Sequence, residues 1–162
     1  MKIKVPIQSE NKKVKNATKV QCDGQVFLSE TEFKCYLLLK ASGLNFGHET
    51  EKLVIFPGFK DANILDWKWD KKKRTFLQKP MYKVQDITYT PDFVVNLPGR
   101  KVYIEVKGNP NDRFPMKYKM FLRYLSERTK EDGIKREYVI VKSLTQMKDV
   151  ISKLNEYHCN NR

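Results

Sequence analysis

This chain predicts a single α/β domain, on three observations. Apolar residues recur at helical spacing in three stretches, and two of these follow a serine with Glu or Gln three residues on. Between the first and second stretches, apolar and polar residues alternate at strand spacing, most cleanly from Phe93 to Val106. No run rich in Gly, Ser or Pro divides the 162 residues, so residues 1–162 read as one domain, helix first, then strands, then βα-type elements.

The elements follow in order. Residues 1–22 are polar and Lys-rich, which predicts a basic, extended or strand-like N-terminal arm. Asp23-Gly24 marks a turn. Ser29 and Glu32 form a capping-box signature ahead of a helix outlined by Phe33, Tyr36, Leu37 and Ala41, and Gly43-Leu44 closes it. "KLVIFPGF" is β-prone. Residues 61–83 form a basic insertion that reads as a hairpin, with Trp67 and Trp69 alternating with charges before a turn of Lys71, Lys72, Lys73 and Arg74. "NPNDRFP" predicts a loop, and Tyr118, Phe121, Leu122 and Leu125 trace a second helix. "REYVIVK" reads as a buried strand. Ser143 and Gln146 repeat the capping signature before a last helix through Leu144, Met147, Ile151 and Leu154.

Composition narrows the function. Thirty-two Lys and Arg against 19 Asp and Glu give a formal charge of +13, which favours a polyanionic partner, above all nucleic acid. A membrane surface fits less well, because the Lys-rich segments are not joined to a long amphipathic helix. No segment has transmembrane length, and the N-terminus has no apolar signal core, so a cytoplasmic protein without a membrane partner is expected. Cys22, Cys35 and Cys159 are widely spaced with no CxxC, which predicts neither a disulfide framework nor a zinc knuckle, and Cys35 is expected in a core. With only His48 and His158 available, a metal would be held by oxygen.

The stretch "TPDFVVNLPGRKVYIEVKG" places two carboxylates and an ammonium in an apolar hairpin. A turn centred on Pro98-Gly99 pairs residues whose numbers sum to 197, setting Phe93 against Ile104 and Val95 against Val102. The same register sets Asp92 against Glu105. Opposed residues on one face have Cβ atoms about 5 Å apart, and at an effective dielectric near 20 the repulsion is on the order of 3 kcal/mol. A shared proton, Lys107 beside Glu105, or a divalent cation could offset it. Two carboxylates with a backbone carbonyl such as that of Val106 make the partial oxygen shell that Mg²⁺ accepts. Such an ion would polarise a phosphodiester, and Lys107 could orient the attacking water or offset charge developing on the phosphate.

Pro91-Asp92 followed by Glu105-Val106-Lys107 resembles the PD-(D/E)xK nuclease signature. "DGQVFLSETEFKCY", "YTPDFVV" and "EVKG" extend the resemblance, over roughly residues 20 to 125, to small phage-encoded endonucleases related to archaeal-type Holliday junction resolvases. The resemblance implies a restriction-endonuclease-like αβββαβ core with a mixed central sheet flanked by helices. It also implies Mg²⁺ or Mn²⁺ dependence and phosphodiester hydrolysis in DNA. Carried over by position, Asp92 and Glu105 are implied metal ligands, Lys107 the catalytic lysine, and Glu32 a first-helix glutamate joining the metal site. The insertion from Asp61 to Lys83 is longer and more basic than the family's pattern and the segment after Gly108 carries no motif of the family, which leaves open whether the substrate is branched, single-stranded or duplex DNA, or RNA.

Each candidate has a plainer explanation. The carboxylates and Lys107 could form a surface salt bridge, and Glu32 could serve the helix cap alone. Lys71, Lys72, Lys73 and Arg74 could be a solvated turn or, with Trp67 and Trp69, bind nucleic acid. Lys117, Lys119 and Arg123 are candidate phosphate contacts on the second helix, and Tyr103 is expected as a packed aromatic. Asp86 is a decoy expected to meet a lysine. Two other functions compete with the nuclease: a non-catalytic nucleic-acid-binding module, and a subunit active only within a recombination or restriction assembly. Symmetric cutting of a four-way junction would need two active sites, as in a homodimer.

Overall fold

A computed structural model describes residues 19–107 and 114–160. Most of the N-terminal arm, and the predicted loop as far as residue 113, lie outside the described residues. The elements are β1 (Val20–Cys22), β2 (Gln25–Phe27), α1 (Glu30–Ser42), β3 (Phe46–His48), β4 (Leu53–Phe56), β5 (Leu65–Asp70), β6 (Thr75–Pro80), β7 (Ile87–Tyr89), β8 (Phe93–Leu97), β9 (Arg100–Val106), α2 (Phe114–Asp132), β10 (Lys135–Val141) and α3 (Leu144–Asn160). They fall into two compact units, one comprising the described residues up to Leu44 and from Val141, the other running from Asn45 to Ile140.

In the first unit, β1 and β2 form an antiparallel hairpin and α1 packs beside α3. Both helices start with the same cap. Ser29 Oγ accepts the Glu32 amide at 3.1 Å, and Glu32 Oε2 reaches back to the Leu28 amide at 3.0 Å. Ser143 Oγ accepts the Gln146 amide at 3.2 Å, and Gln146 Oε1 takes the Lys142 amide at 2.6 Å. In each case the N3 side chain serves the residue before the N-cap, so two orphan donors are satisfied at once. At the other end of α1, Gly43 adopts φ 73°, which only glycine takes cheaply, and Leu44 folds inward. The buried face of α1 is Glu32, Cys35, Tyr36 and Leu39 rather than the stripe expected through Leu37 and Ala41, which are exposed. The stripe is rotated because Phe27 of β2 packs tilted against Tyr36, at 4.9 Å between ring centroids.

The second unit is built on a sheet of order β10-β9-β8-β3. β3 and β8 pair antiparallel, as do β8 and β9. The Lys135 amide donates to the Gly99 carbonyl at 3.1 Å, tying the start of β10 to the start of β9. β10 therefore runs parallel to β9 after the α2 crossover, and the sheet is mixed. Along the chain, α1, β3, β8, β9, α2 and β10 follow the αβββαβ order expected of a restriction-endonuclease-like fold. Tyr89, Val94, Tyr103, Phe121 and Leu125 form the core between the sheet and α2. β10, expected as a buried strand, is mostly half-buried because among the described residues it is an edge of the sheet.

Between β3 and β8 the chain runs out and back as one interrupted antiparallel ribbon. Leu53 pairs with Tyr89 at its base, Phe59 bridges Val84, Leu65 pairs with Pro80, and Asp70 with Thr75 beside the tip Lys71–Arg74. Gly58 fits between the two strands because any Cβ there would lie 2.4 Å from the Val84 carbonyl oxygen. Its amide donates to Asp86 Oδ1 at 2.6 Å, so Asp86 fixes the ribbon through backbone rather than meeting a lysine as expected.

Candidate active site

The β8–β9 hairpin sets the site. Phe93–Ile104, Val94–Tyr103, Val95–Val102, Asn96–Lys101 and Leu97–Arg100 are paired, each summing to 197, around a two-residue turn in which Gly99 takes φ 62°. That turn needs a proline-compatible first position and a positive φ at the second, which Pro98-Gly99 supplies. Carried one position further outward, this register sets Asp92 opposite Glu105. Asp92 Oδ2 accepts the Val106 amide at 2.6 Å, so its carboxylate folds across the end of the ladder towards β9.

Glu105 is 6% exposed. A carboxylate so buried needs donors, and it has two: Tyr89 Oη donates to Oε2 at 2.7 Å, and Lys107 Nζ to Oε1 at 3.1 Å. Lys107 keeps 24% of its side chain exposed, so the ammonium faces the rim of the site. Tyr89 is held in turn by Tyr138, hydroxyl to hydroxyl at 2.8 Å, and stacks on Phe121 with ring centroids 4.4 Å apart. Burial, with the Glu105 charge beside it, pushes the Tyr89 phenol far above its ordinary value. Burial does the same to Tyr138, which also lies in the field of both Glu105 and Asp92.

Two carboxylates and one ammonium leave a net negative charge in a half-buried site. The repulsion on the order of 3 kcal/mol estimated for opposed carboxylates is thus only partly offset by Lys107. Carboxylate oxygens oriented by an amide and a phenol are the hard ligand type that suits a hard divalent cation.

Sequence reasoning did not find Tyr89 and Tyr138, nor the neighbours that β3 brings. His48 pairs with Phe93, and the Glu49 amide donates to the Asp92 carbonyl at 2.9 Å. A ring nitrogen of His48 and a carboxylate oxygen of Glu49 lie within 4.8 Å of each other. Glu32 is buried in the first unit with its carboxylate on the helix cap. Tyr103 is the packed aromatic expected, its hydroxyl donating to Glu51 at 3.3 Å.

The basic candidates are dispersed. Lys71, Lys72, Lys73 and Arg74 are exposed at the ribbon tip, where Asp70 Oδ1 accepts the amides of Lys72 and Lys73 at 2.9 and 3.0 Å. Lys117 Nζ donates to the Thr88 carbonyl at 3.2 Å, next to Tyr89. Lys119 is exposed, and Arg123 pairs with Glu127 at 2.8 Å. The remaining signature residues have structural duties: Tyr36 Oη and Lys40 Nζ both reach Asp23 Oδ2 at 2.7 Å, and Ser29 is the N-cap of α1.

This mixed α/β chain belongs to the family described as "Protein of unknown function (DUF1064)", whose match spans residues 12–146. No curated protein matches it in sequence. A solved structure similar to it is the small subunit (R.BspD6I2) of the heterodimeric restriction endonuclease R.BspD6I, at 15% identity and a TM-score of 0.30. The alignment covers 68% of this chain and 47% of that one, so this chain spans about half the length of that relative. Among the described residues, no helix is long and apolar enough to cross a membrane.

Proposed function

We propose that this protein is a metal-dependent DNA endonuclease that hydrolyses phosphodiester bonds. The observation that carries the proposal is the Asp92 carboxylate bonded to the Val106 amide, beside a buried Glu105 that holds the Lys107 ammonium. The formal charge of +13 supports a polyanionic substrate, whereas a pair of carboxylates alone would repel one.

Asp92 and Glu105, with the Val106 carbonyl, are the groups that would hold Mg²⁺ or Mn²⁺. When bound, such an ion neutralises the two carboxylates and polarises a phosphate oxygen. The chain's own residues do the rest. The Val106 amide and the Tyr89 phenol fix the two carboxylates in direction, so neither has to reorganise as charge builds on the phosphate. The Lys107 ammonium, at the rim, orients the attacking water or takes up part of the charge on the phosphate oxygens. Glu32 is a further candidate for this site alongside its capping duty. Lys71–Arg74, Lys117, Lys119 and Arg123 would contribute phosphate contacts. The family resemblance leaves branched DNA such as a Holliday junction, in the setting of phage DNA processing, as one candidate substrate among branched, single-stranded and duplex DNA.

Incubating supercoiled plasmid and labelled four-way junctions with the protein, in Mg²⁺ or Mn²⁺ and in EDTA, tests the proposal. Metal-dependent cleavage lost in Asp92→Ala is expected. DNA binding without cleavage under every metal condition would favour a non-catalytic binding module instead.

A further inference from the structure

The ribbon between β3 and β8 carries a second constellation outside the acidic site. In the β5–β6 register Trp69 lies opposite Phe76 and Trp67 opposite Gln78, so Trp67, Trp69 and Phe76 share one face. Phe76 sits between the two indoles, 5.0 Å from Trp69 and 6.4 Å from Trp67 between ring centroids. Their exposures are 60% for Trp67, 53% for Trp69 and 56% for Phe76. Three adjoining aromatics, each more than half exposed, are costly to leave in water and mark a binding surface. Neither β5 nor β6 pairs with any other strand among the described residues.

The charge around this face selects the occupant. Residues 60–83 hold eight Lys and Arg against three Asp, and four of the cations stand together at the tip, Lys71–Arg74. One of the three acids, Asp70, is engaged by amides of the turn itself. Flat aromatic rings next to clustered cations match unpaired nucleobases on a phosphate backbone. A duplex keeps its base faces stacked and hidden, and a ribbon meant for its major groove would present polar side chains to base edges rather than indoles.

We infer that the Trp67–Trp69–Phe76 face is a stacking platform for single-stranded DNA, with Lys71–Arg74 gripping the backbone. The interrupted ribbon leads back through the Phe59–Val84 bridge to Leu53 and Tyr89, and Tyr89 bonds to Glu105, so the same excursion of the chain carries the platform and borders the candidate active site. The choice of DNA rests on the nuclease reading and deepens it, directing the enzyme to substrates with an unpaired segment.

Trp67 and Trp69 are the only tryptophans in the chain, so intrinsic tryptophan fluorescence reports on this face alone. The test is a titration in EDTA with a short oligo(dT) and with a duplex of the same length, on the wild type and on Asp92→Ala. The platform predicts quenching by oligo(dT) in both proteins, several-fold tighter than by the duplex. Trp67→Ala/Trp69→Ala, followed by anisotropy of labelled oligo(dT), should weaken single-strand binding about ten-fold or more. Trp69→Phe, which keeps an aromatic ring, should retain most of the affinity. Equal quenching by duplex and single strand, or none by either, overturns the inference. So does quenching that grows with protein concentration alone, which would assign the face to a second copy of the chain. Because metal and cleavage play no part in this binding, its failure is separable from failure of the nuclease proposal.

Discussion

Asp92 Oδ2 and the Val106 amide meet at 2.6 Å, one residue beyond Glu105 on the neighbouring strand. This side-chain bond crosses the hairpin just beyond its last paired residues, Phe93 and Ile104.

Asp92→Ala is therefore expected to lower cleavage by two orders of magnitude or more while leaving DNA affinity within a few-fold, since phosphate contacts by Lys and Arg dominate binding. Plasmid nicking beside a filter-binding isotherm checks both parts. A normal cutting rate would refute the site assignment.

Lys107→Ala should slow turnover at saturating DNA while metal affinity, read by calorimetry, changes little. Loss of Mg²⁺ affinity with unchanged turnover would show that the lysine organises the carboxylates rather than the reaction.

Glu32 separates by substitution. Glu32→Ala removes the bond to the Leu28 amide and should cost about 0.5–2 kcal/mol in a denaturant melt. Glu32→Gln can keep that bond while removing the charge. If Glu32 also serves the active site, the Gln variant melts like the wild type and cuts at least ten-fold more slowly; if it cuts normally, Glu32 is a cap alone.

Tyr89→Phe leaves the buried Glu105 carboxylate without its phenol donor and is expected to destabilise the fold by about 1.5–3 kcal/mol. Tyr138→Phe, which loses a bond between neutral groups, should cost about 0.5–1.5 kcal/mol. Equal and negligible losses in urea melts would mean that the tyrosine pair does not support Glu105.

Alkaline pH acts on the same core. Burial holds the Tyr89 and Tyr138 phenols well above 10 and pushes Tyr103 up to about 12. Above pH 10 the unfolded chain gives up these protons before the native one does. Stability is thus retained below pH 10 and falls as pH rises towards 12 and beyond. Urea midpoints between pH 8 and 11.5 should show that decline, reduced in Tyr103→Phe.

Much of the site was legible in the sequence because it is local. Pro98-Gly99 admits a two-residue turn, which dictates that Asp92 faces Glu105, and alternation along β9 places Lys107 on the same side. Both helix caps were legible for the same reason, being contained in four residues. What was not legible comes from distant pairings. Tyr89 bonds Glu105 from β7, and Tyr138 reaches Tyr89 only because β10 joins the sheet through the α2 crossover; no short-range pattern encodes either. Leu37 fits a helical stripe but stays exposed, since the face that packs is chosen by Phe27, outside the helix. Asp86 was misjudged because its partner is a backbone amide 28 residues away, at a glycine where two strands approach too closely for a side chain.

Isothermal titration of Mn²⁺ into the wild type and into Asp92→Ala and Glu105→Gln, without DNA, tests the convergence of the two carboxylates most directly. Saturable binding by the wild type, weakened at least ten-fold by either substitution alone, is the predicted result. Binding that survives both substitutions, or a wild type that takes up no metal in the presence or absence of DNA, would contradict the account.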